Sequence, residues 1–97
     1  GVPRALLEAG AIGVPSVTTD MPGCRDVVLD GWNGFIFKPG DDQALAGALI
    51  TLLEQPSLRR EMGSRAVQRV REHFDISGVI NAYAKLYSRL WGEARNE

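Results

Sequence analysis

Gly1-Val2-Pro3-Arg4-Ala5-Leu6-Leu7-Glu8-Ala9-Gly10-Ala11-Ile12-Gly13 runs directly into Val14-Pro15-Ser16-Val17-Thr18-Thr19-Asp20. Pro3 suits the first turn of a helix and Gly13 suits its stop. Between them nearly every residue is small or apolar, so the helix is expected to pack against a sheet and close to other backbone. Arg4 and Glu8 alone break that pattern, and their i,i+4 spacing puts both on one face. The β-branched run from Val14 to Thr19 reads as a buried strand. A helix feeding a buried strand is the signature of an α/β fold with a parallel sheet.

Outward from this stretch, Asp20-Met21-Pro22-Gly23 has turn chemistry and Cys24 to Leu29 is expected to form a short helical turn. Asp30 to Gly34 reads as a tight turn before a second strand, Phe35-Ile36-Phe37, which Lys38-Pro39-Gly40 ends. Three helices are then predicted. Asp41 or Asp42 caps the first, with Leu45, Ala48, Leu49, Leu52 and Leu53 on one stripe and a stop before Pro56. Ser57 caps the second, with Leu58, Met62, Ala66, Val70 and Phe74 along its stripe. Asp75 or Ser77 opens the third, with Val79, Ile80, Tyr83, Leu86, Tyr87, Leu90 and Trp91 facing inward. Two strands are too few to stand as a sheet, and the chain has no initiator Met. It is therefore expected to be the tail of a longer protein, with the remaining strands upstream.

Composition bounds the function. Ninety-seven residues make one domain at most, and a chain of that size buries only about 60–65% of its unfolded surface. A net charge of −1 lacks the basic footprint of a nucleic-acid partner. Cys24 is the single cysteine, which excludes an internal disulfide. No apolar run approaches the ~18 residues of a membrane span, and no signal peptide opens the chain.

Four features could carry chemistry. At the start of the first helix the N–H groups of Arg4, Ala5 and Leu6 lack intrahelical partners, and the helix dipole adds roughly half a positive charge. Gly1 would let an anionic ligand approach closely, although most helix starts bind only water. Glu8 is either a surface salt bridge with Arg4 or a carboxylate at a cleft rim, where an acceptor-only group suits a ribose diol. Read on the residues alone, the salt bridge is favoured. The loop Asp20 to Asp26 follows a strand's carboxyl end, where ligands bind in open α/β sheets. Arg25 could meet a phosphate there, but a pair with Asp20 or Asp26 is the commoner outcome. Cys24 reads as a small buried hydrophobe. His73 has no catalytic partner and no cluster has metal spacing. The arginines from Arg59 to Arg71 interleave with Glu61 and Glu72 as a solvated helix face. Trp32 and Trp91 read as packing residues.

Taken in order, Gly1 to Ala9, Gly13 to Asp20, Pro22-Gly23-Cys24-Arg25-Asp26-Val27-Val28 and Asp30-Gly31-Trp32-Asn33-Gly34-Phe35 resemble one family. It is glycosyltransferase family 4, the group 1 glycosyltransferases. Pro39-Gly40-Asp41, the Leu-Leu-Glu-Gln-Pro helix end and Met62-Gly63-Ser64-Arg65-Ala66 fit the same template, so the likeness spans essentially the whole chain. The Pro-Gly-Cys-Arg-Asp loop looks most like members that build capsular, exopolysaccharide or lipid-linked oligosaccharides.

The resemblance implies part of a Rossmann-like, doubly wound parallel sheet of the GT-B type, in its carboxy-terminal domain. Residues 1–40 would be the ligand side and 41–97 the helical part, with the acceptor domain absent. It implies transfer of a hexose from a nucleotide diphosphate sugar to an acceptor hydroxyl with retention. Glu8 matches the second of two family glutamates, the one that holds ribose hydroxyls. The first, needed for turnover, would stand immediately before Gly1, so this chain alone is expected to be inactive. Gly1, Val2, Pro3, Arg4 and Ala5 match the stretch that meets the sugar and diphosphate, with no metal required. UDP is favoured over GDP by family habit. A glycan or lipid-linked acceptor would bind the absent domain, and the last helix, 78–92, looks like the one that crosses back to it. The complete enzyme is expected in the cytoplasm, with peripheral attachment to the inner face of the cell membrane as the alternative station. A rival from another class is a non-catalytic sugar-nucleotide-binding or interaction module on this scaffold. A Glu encoded just before Gly1 favours the enzyme, and a hydrophobic or basic residue favours the module.

Overall fold

The computed structural model describes residues 2–95. The chain runs α1 (Arg4–Ala11), β1 (Ser16–Thr19), α2 (Cys24–Val27), β2 (Gly34–Phe37), α3 (Asp42–Glu54), α4 (Pro56–His73) and α5 (Ser77–Arg95). This is the α/β class that the opening residues imply. β1 and β2 pair in parallel from Ser16 opposite Gly34 to Thr19 opposite Phe37. The close pairing needs Gly34, because a Cβ there would lie 2.3 Å from the Ser16 carbonyl oxygen.

Local chemistry ends the elements as their sequences predict. Past α1, Gly13 turns to φ 79, and its N–H donates to the Gly10 carbonyl while Val14 N–H donates to Ala9. This is a Schellman stop, which favours glycine at the left-handed position. The Asp41 carboxylate accepts from Ala44 N–H at 3.0 Å and caps α3. Asn33, buried in the turn before β2, accepts from Leu29 N–H and donates to the Val27 carbonyl. Pro56, not Ser57, opens the next helix, with Gln55 as its cap. Proline's fixed φ and missing donor fit that first position.

The core gathers around α4. Met62, Ala66 and Val70 are buried there with Cys24, Val27, Val28, Leu52 and Ile76. α4 lies antiparallel along α1, with Gly63 against the Gly13 backbone and Val70 against Gly10. The expected i,i+4 pair of Arg65 with Glu61 forms on this face, and three of its arginines also reach across to other elements. Arg59 donates to Leu52 O, Arg65 donates to Trp32 O and covers the Trp32 ring at 5.7 Å, and Arg69 donates twice to Asp26 O. A long guanidinium stem can leave the helix face and satisfy a loop carbonyl that water would otherwise serve.

Burial departs from the helical stripes. Both strands and most of α1 are only half-buried, and Ala5 is exposed. On α3, Leu52 is buried, but Leu49 and Leu53 are exposed. A two-stranded sheet is too narrow to cover a full helix face on either side. The larger correction concerns α5. Ile76, just before its first turn, is buried and Val79 is half-buried, whereas Ile80, Tyr83, Leu86, Tyr87, Leu90 and Trp91 are exposed. Nothing among the described residues lies opposite the second half of this helix, so its apolar periodicity has no core to enter.

Candidate functional site

α1 enters β1 through the Gly13 turn, so its start lies at the end of the sheet where β1 finishes. Its contact with α2, which follows β1, agrees with that placement. Pro3 is the cap, in extended conformation and without any side-chain bond to the helix. The Pro3 carbonyl accepts from Leu6 N–H at 3.2 Å and Leu7 N–H at 3.4 Å. Leu6 N–H, expected to be free, is thus taken back by the tight first turn. Among the described residues Arg4 and Ala5 N–H keep no acceptor. Val2 and Pro3 are half-buried beside this end, while Arg4 and Ala5 are exposed. Gly1, the remaining candidate at this end, lies outside the described residues.

One turn further on, Glu8 projects from the face of α1 that meets α5. Arg4 Nε donates to Glu8 Oε1 at 2.8 Å, and Tyr83 Oη donates to Oε2 at 3.2 Å. The Glu8 side chain is 29% exposed. It borders a groove of about 180 Å³ formed with Ala82, Tyr83 and Leu86. The carboxylate is therefore neither sealed in the core nor free in solvent. It is a half-buried acceptor on the wall of an otherwise apolar groove. Its charge raises the pKa of the Tyr83 phenol, reinforced by desolvation and the hydrogen bond and opposed by Arg4.

The other candidates separate from this site. Arg25 spends its guanidinium on Asp20, at 2.9 Å from Nε and 3.0 Å from Nη2. Cys24 is buried, with Thr18 Oγ1 3.8 Å from its sulfur. His73 is exposed at the end of α4. Trp32 is half-buried beneath Arg65, but Trp91 is exposed and packs no core. Among the described residues no His, Cys, Asp or Glu cluster has metal-holding geometry. No helix among them is long and apolar enough to cross a membrane.

From the sequence, Tyr83 reads as a packing residue. Its phenol instead reaches Glu8 across 75 positions of chain. The two residues meet because α5 folds back antiparallel along α1. Val79 and Ile80 stand over Ala11 and Ile12, and Tyr83 stands over Glu8. Apolar spacing on α5 shows which positions share a face but not which helix that face meets.

The parallel strands, the flanking helices and the helix start at the strands' carboxyl end define an α/β unit of the Rossmann-like class. The chain belongs to the glycosyl transferases group 1 family, whose sequence model matches residues 1–69. It is 34% identical over 91 residues to N-acetyl-alpha-D-glucosaminyl L-malate synthase of Bacillus anthracis, covering 94% of this chain and 24% of that protein. It is 30% identical over 97 residues to the capsular polysaccharide biosynthesis glycosyltransferase CapM of Staphylococcus aureus, covering 100% of this chain and 26% of the relative. Among solved structures, HepE of Anabaena in complex with UDP superposes with a TM-score of 0.73 at 28% identity, covering 91% of this chain and 24% of its own. The chain thus spans about a quarter of the length of the relatives it matches.

Proposed function

We propose that this chain is the carboxy-terminal, donor-binding part of a retaining family 4 glycosyltransferase of the GT-B type. The complete enzyme would transfer a hexose from a nucleotide diphosphate sugar, UDP before GDP, to a hydroxyl of a glycan or lipid-linked acceptor. In that reaction the bond between anomeric carbon and diphosphate oxygen breaks, the acceptor oxygen bonds to that carbon with configuration kept, and the acceptor proton leaves with the nucleoside diphosphate. The relatives' capsular polysaccharide assignment and the UDP in the HepE structure support the substrate class. The acceptor-binding domain and the turnover glutamate before Gly1 belong to the rest of that enzyme. The same reading puts the complete enzyme in the cytoplasm, with peripheral attachment at the inner face of the cell membrane as the alternative.

One observation carries it. The half-buried Glu8 carboxylate stands one turn inside an uncapped helix start at the strands' carboxyl end. In this reading the Arg4 and Ala5 N–H groups, with Val2 and Pro3 beside them, meet the diphosphate, Gly1 is assigned to the same stretch by the family resemblance alone, and Glu8 accepts from the ribose. Preorganised amides stabilise the negative charge that grows on the leaving diphosphate. They stand in for a divalent cation, so no metal is assigned to the step. Glu8→Gln in the complete enzyme removes the charge from one hydrogen bond of about 1.5–3 kcal/mol and should weaken UDP binding about tenfold. Titration calorimetry measures this directly, and an unchanged affinity takes Glu8 out of the site.

A further inference from the structure

A carboxylate that must hold a vicinal diol needs two open acceptor directions at a fixed angle. A glutamate's terminal torsion is broad and only weakly staggered, so an unsupported Glu8 would sample many settings. Here each oxygen already has one donor: Arg4 Nε on Oε1 and Tyr83 Oη on Oε2. An ionised carboxylate offers roughly four acceptor sites. Two are therefore spent on holding the group still, and one on each oxygen stays open.

The two supports are not equivalent. Arg4 is 73% exposed along its side chain and only four residues away on the same helix, so solvent screens its pair with Glu8 and ordering its long side chain costs entropy. Tyr83 comes from a different helix, has only two side-chain torsions to order, and lines the groove with Ala82 and Leu86. The groove of about 180 Å³ would hold roughly six waters at liquid density, which is room for a sugar ring beside the carboxylate. A phenol is protonated and able to donate at neutral pH, and the neighbouring negative charge moves its pKa further up.

We propose that Tyr83 is a positioning residue for the donor nucleotide: its hydroxyl sets the Glu8 carboxylate so that both oxygens face the ribose hydroxyls. The inference rests on the ribose-binding role given to Glu8 above. It also makes α5 a part of the donor site, although no apolar contact of that helix requires this.

The test is titration calorimetry on the complete enzyme with UDP and 2′-deoxy-UDP, comparing wild type, Glu8→Gln and Tyr83→Phe. Wild type should prefer UDP about tenfold, since the deoxy sugar lacks one hydrogen bond to a charged acceptor. Tyr83→Phe keeps the ring and the groove. It should weaken UDP three- to tenfold, leave 2′-deoxy-UDP within about twofold of wild type, and so erase most of the ribose preference. Equal weakening of both nucleotides would mean that Tyr83 only packs, and tighter UDP binding would mean that it occupies the ribose position. Either overturns the proposal, as does an unchanged preference. If Glu8→Gln keeps the preference, the ribose assignment itself falls. If Glu8→Gln loses it while Tyr83→Phe retains it, only the role of Tyr83 falls.

Discussion

Alanine in place of Gly63 sets two effects of opposite sign against each other, and the packing of α4 on α1 decides between them. Gly63 lies inside α4, where alanine is intrinsically better than glycine by about 1 kcal/mol. A Cβ at that position would stand 2.2 Å from the Gly13 carbonyl oxygen and 3.2 Å from its carbon, so a gap of about 1 Å has to open. The obstruction is backbone and cannot rotate away like the end of a side chain. Gly13 is tied by its own N–H to Gly10 and by Val14 N–H to Ala9, so moving the oxygen strains the stop of α1. Overpacking of this kind costs about 1–3 kcal/mol, and the unyielding partner puts Gly63→Ala near the upper end. After the propensity gain, the protein should lose about 1–2 kcal/mol. Gly47 is the control, exposed on α3 with open space where an added methyl group would stand. Alanine there should add about 0.5–1 kcal/mol. With a urea slope of about 1 kcal/mol/M for a small protein, the midpoint falls by roughly 1–2 M for Gly63→Ala. For Gly47→Ala it rises by roughly 0.5–1 M. If Gly63→Ala moves upward with Gly47→Ala, the close crossing of α4 over the Gly13 turn is wrong.

Asn33→Ala removes a buried bond to Val27 C=O and a part-buried one from Leu29 N–H, at about 1–3 kcal/mol for a buried group left unpaired. A net loss of about 2–3 kcal/mol should lower Tm by roughly 10–20 °C in calorimetry, and a drop of only about 3 °C would contradict these two bonds. The Asp75 pKa is held below the ordinary aspartate value because the Ser77 hydroxyl, and next the Ser77 N–H, donate to its carboxylate. A depressed folded-state pKa means that the contribution to the start of α5 is complete above the unfolded value and is lost as pH falls through the folded one. The Ser77 amide shift should then titrate with a midpoint below about 3.9, the unperturbed aspartate value. A midpoint at or above that value removes Asp75 as the N-terminal partner of this helix.

Much of the architecture is legible from local rules. Gly13 stops α1, Asp41 caps α3, and the two short β-branched or aromatic runs form the parallel strands. Each depends on a residue acting within a few positions of itself, through φ, a cap or the strand preference of β-branched and aromatic side chains. Cys24 as a buried small side chain and the Arg4–Glu8 and Arg25–Asp20 pairs are legible for the same reason. The opening helix and its lone acid also identify Glu8 as a candidate, because a carboxylate on an otherwise apolar helix has few roles.

Other features require the folded chain. Arg59, Arg65 and Arg69 read as a charged helix face, and Arg65 does pair with Glu61 there, but all three also donate to carbonyls of three different segments. The apolar stripe of α5 reads as inward, yet only its first turns find a partner. Glu8 and Tyr83 are separated by 75 positions, and no spacing rule links them. Residue order therefore dictates each element, its ends and the character of its faces, since those follow from backbone torsions and neighbouring side chains. Which faces meet is settled only when the chain packs. Such contacts depend on how α4 and α5 fold back over α1, and a periodic pattern carries the direction of a side chain around its own axis but not the identity of the surface opposite.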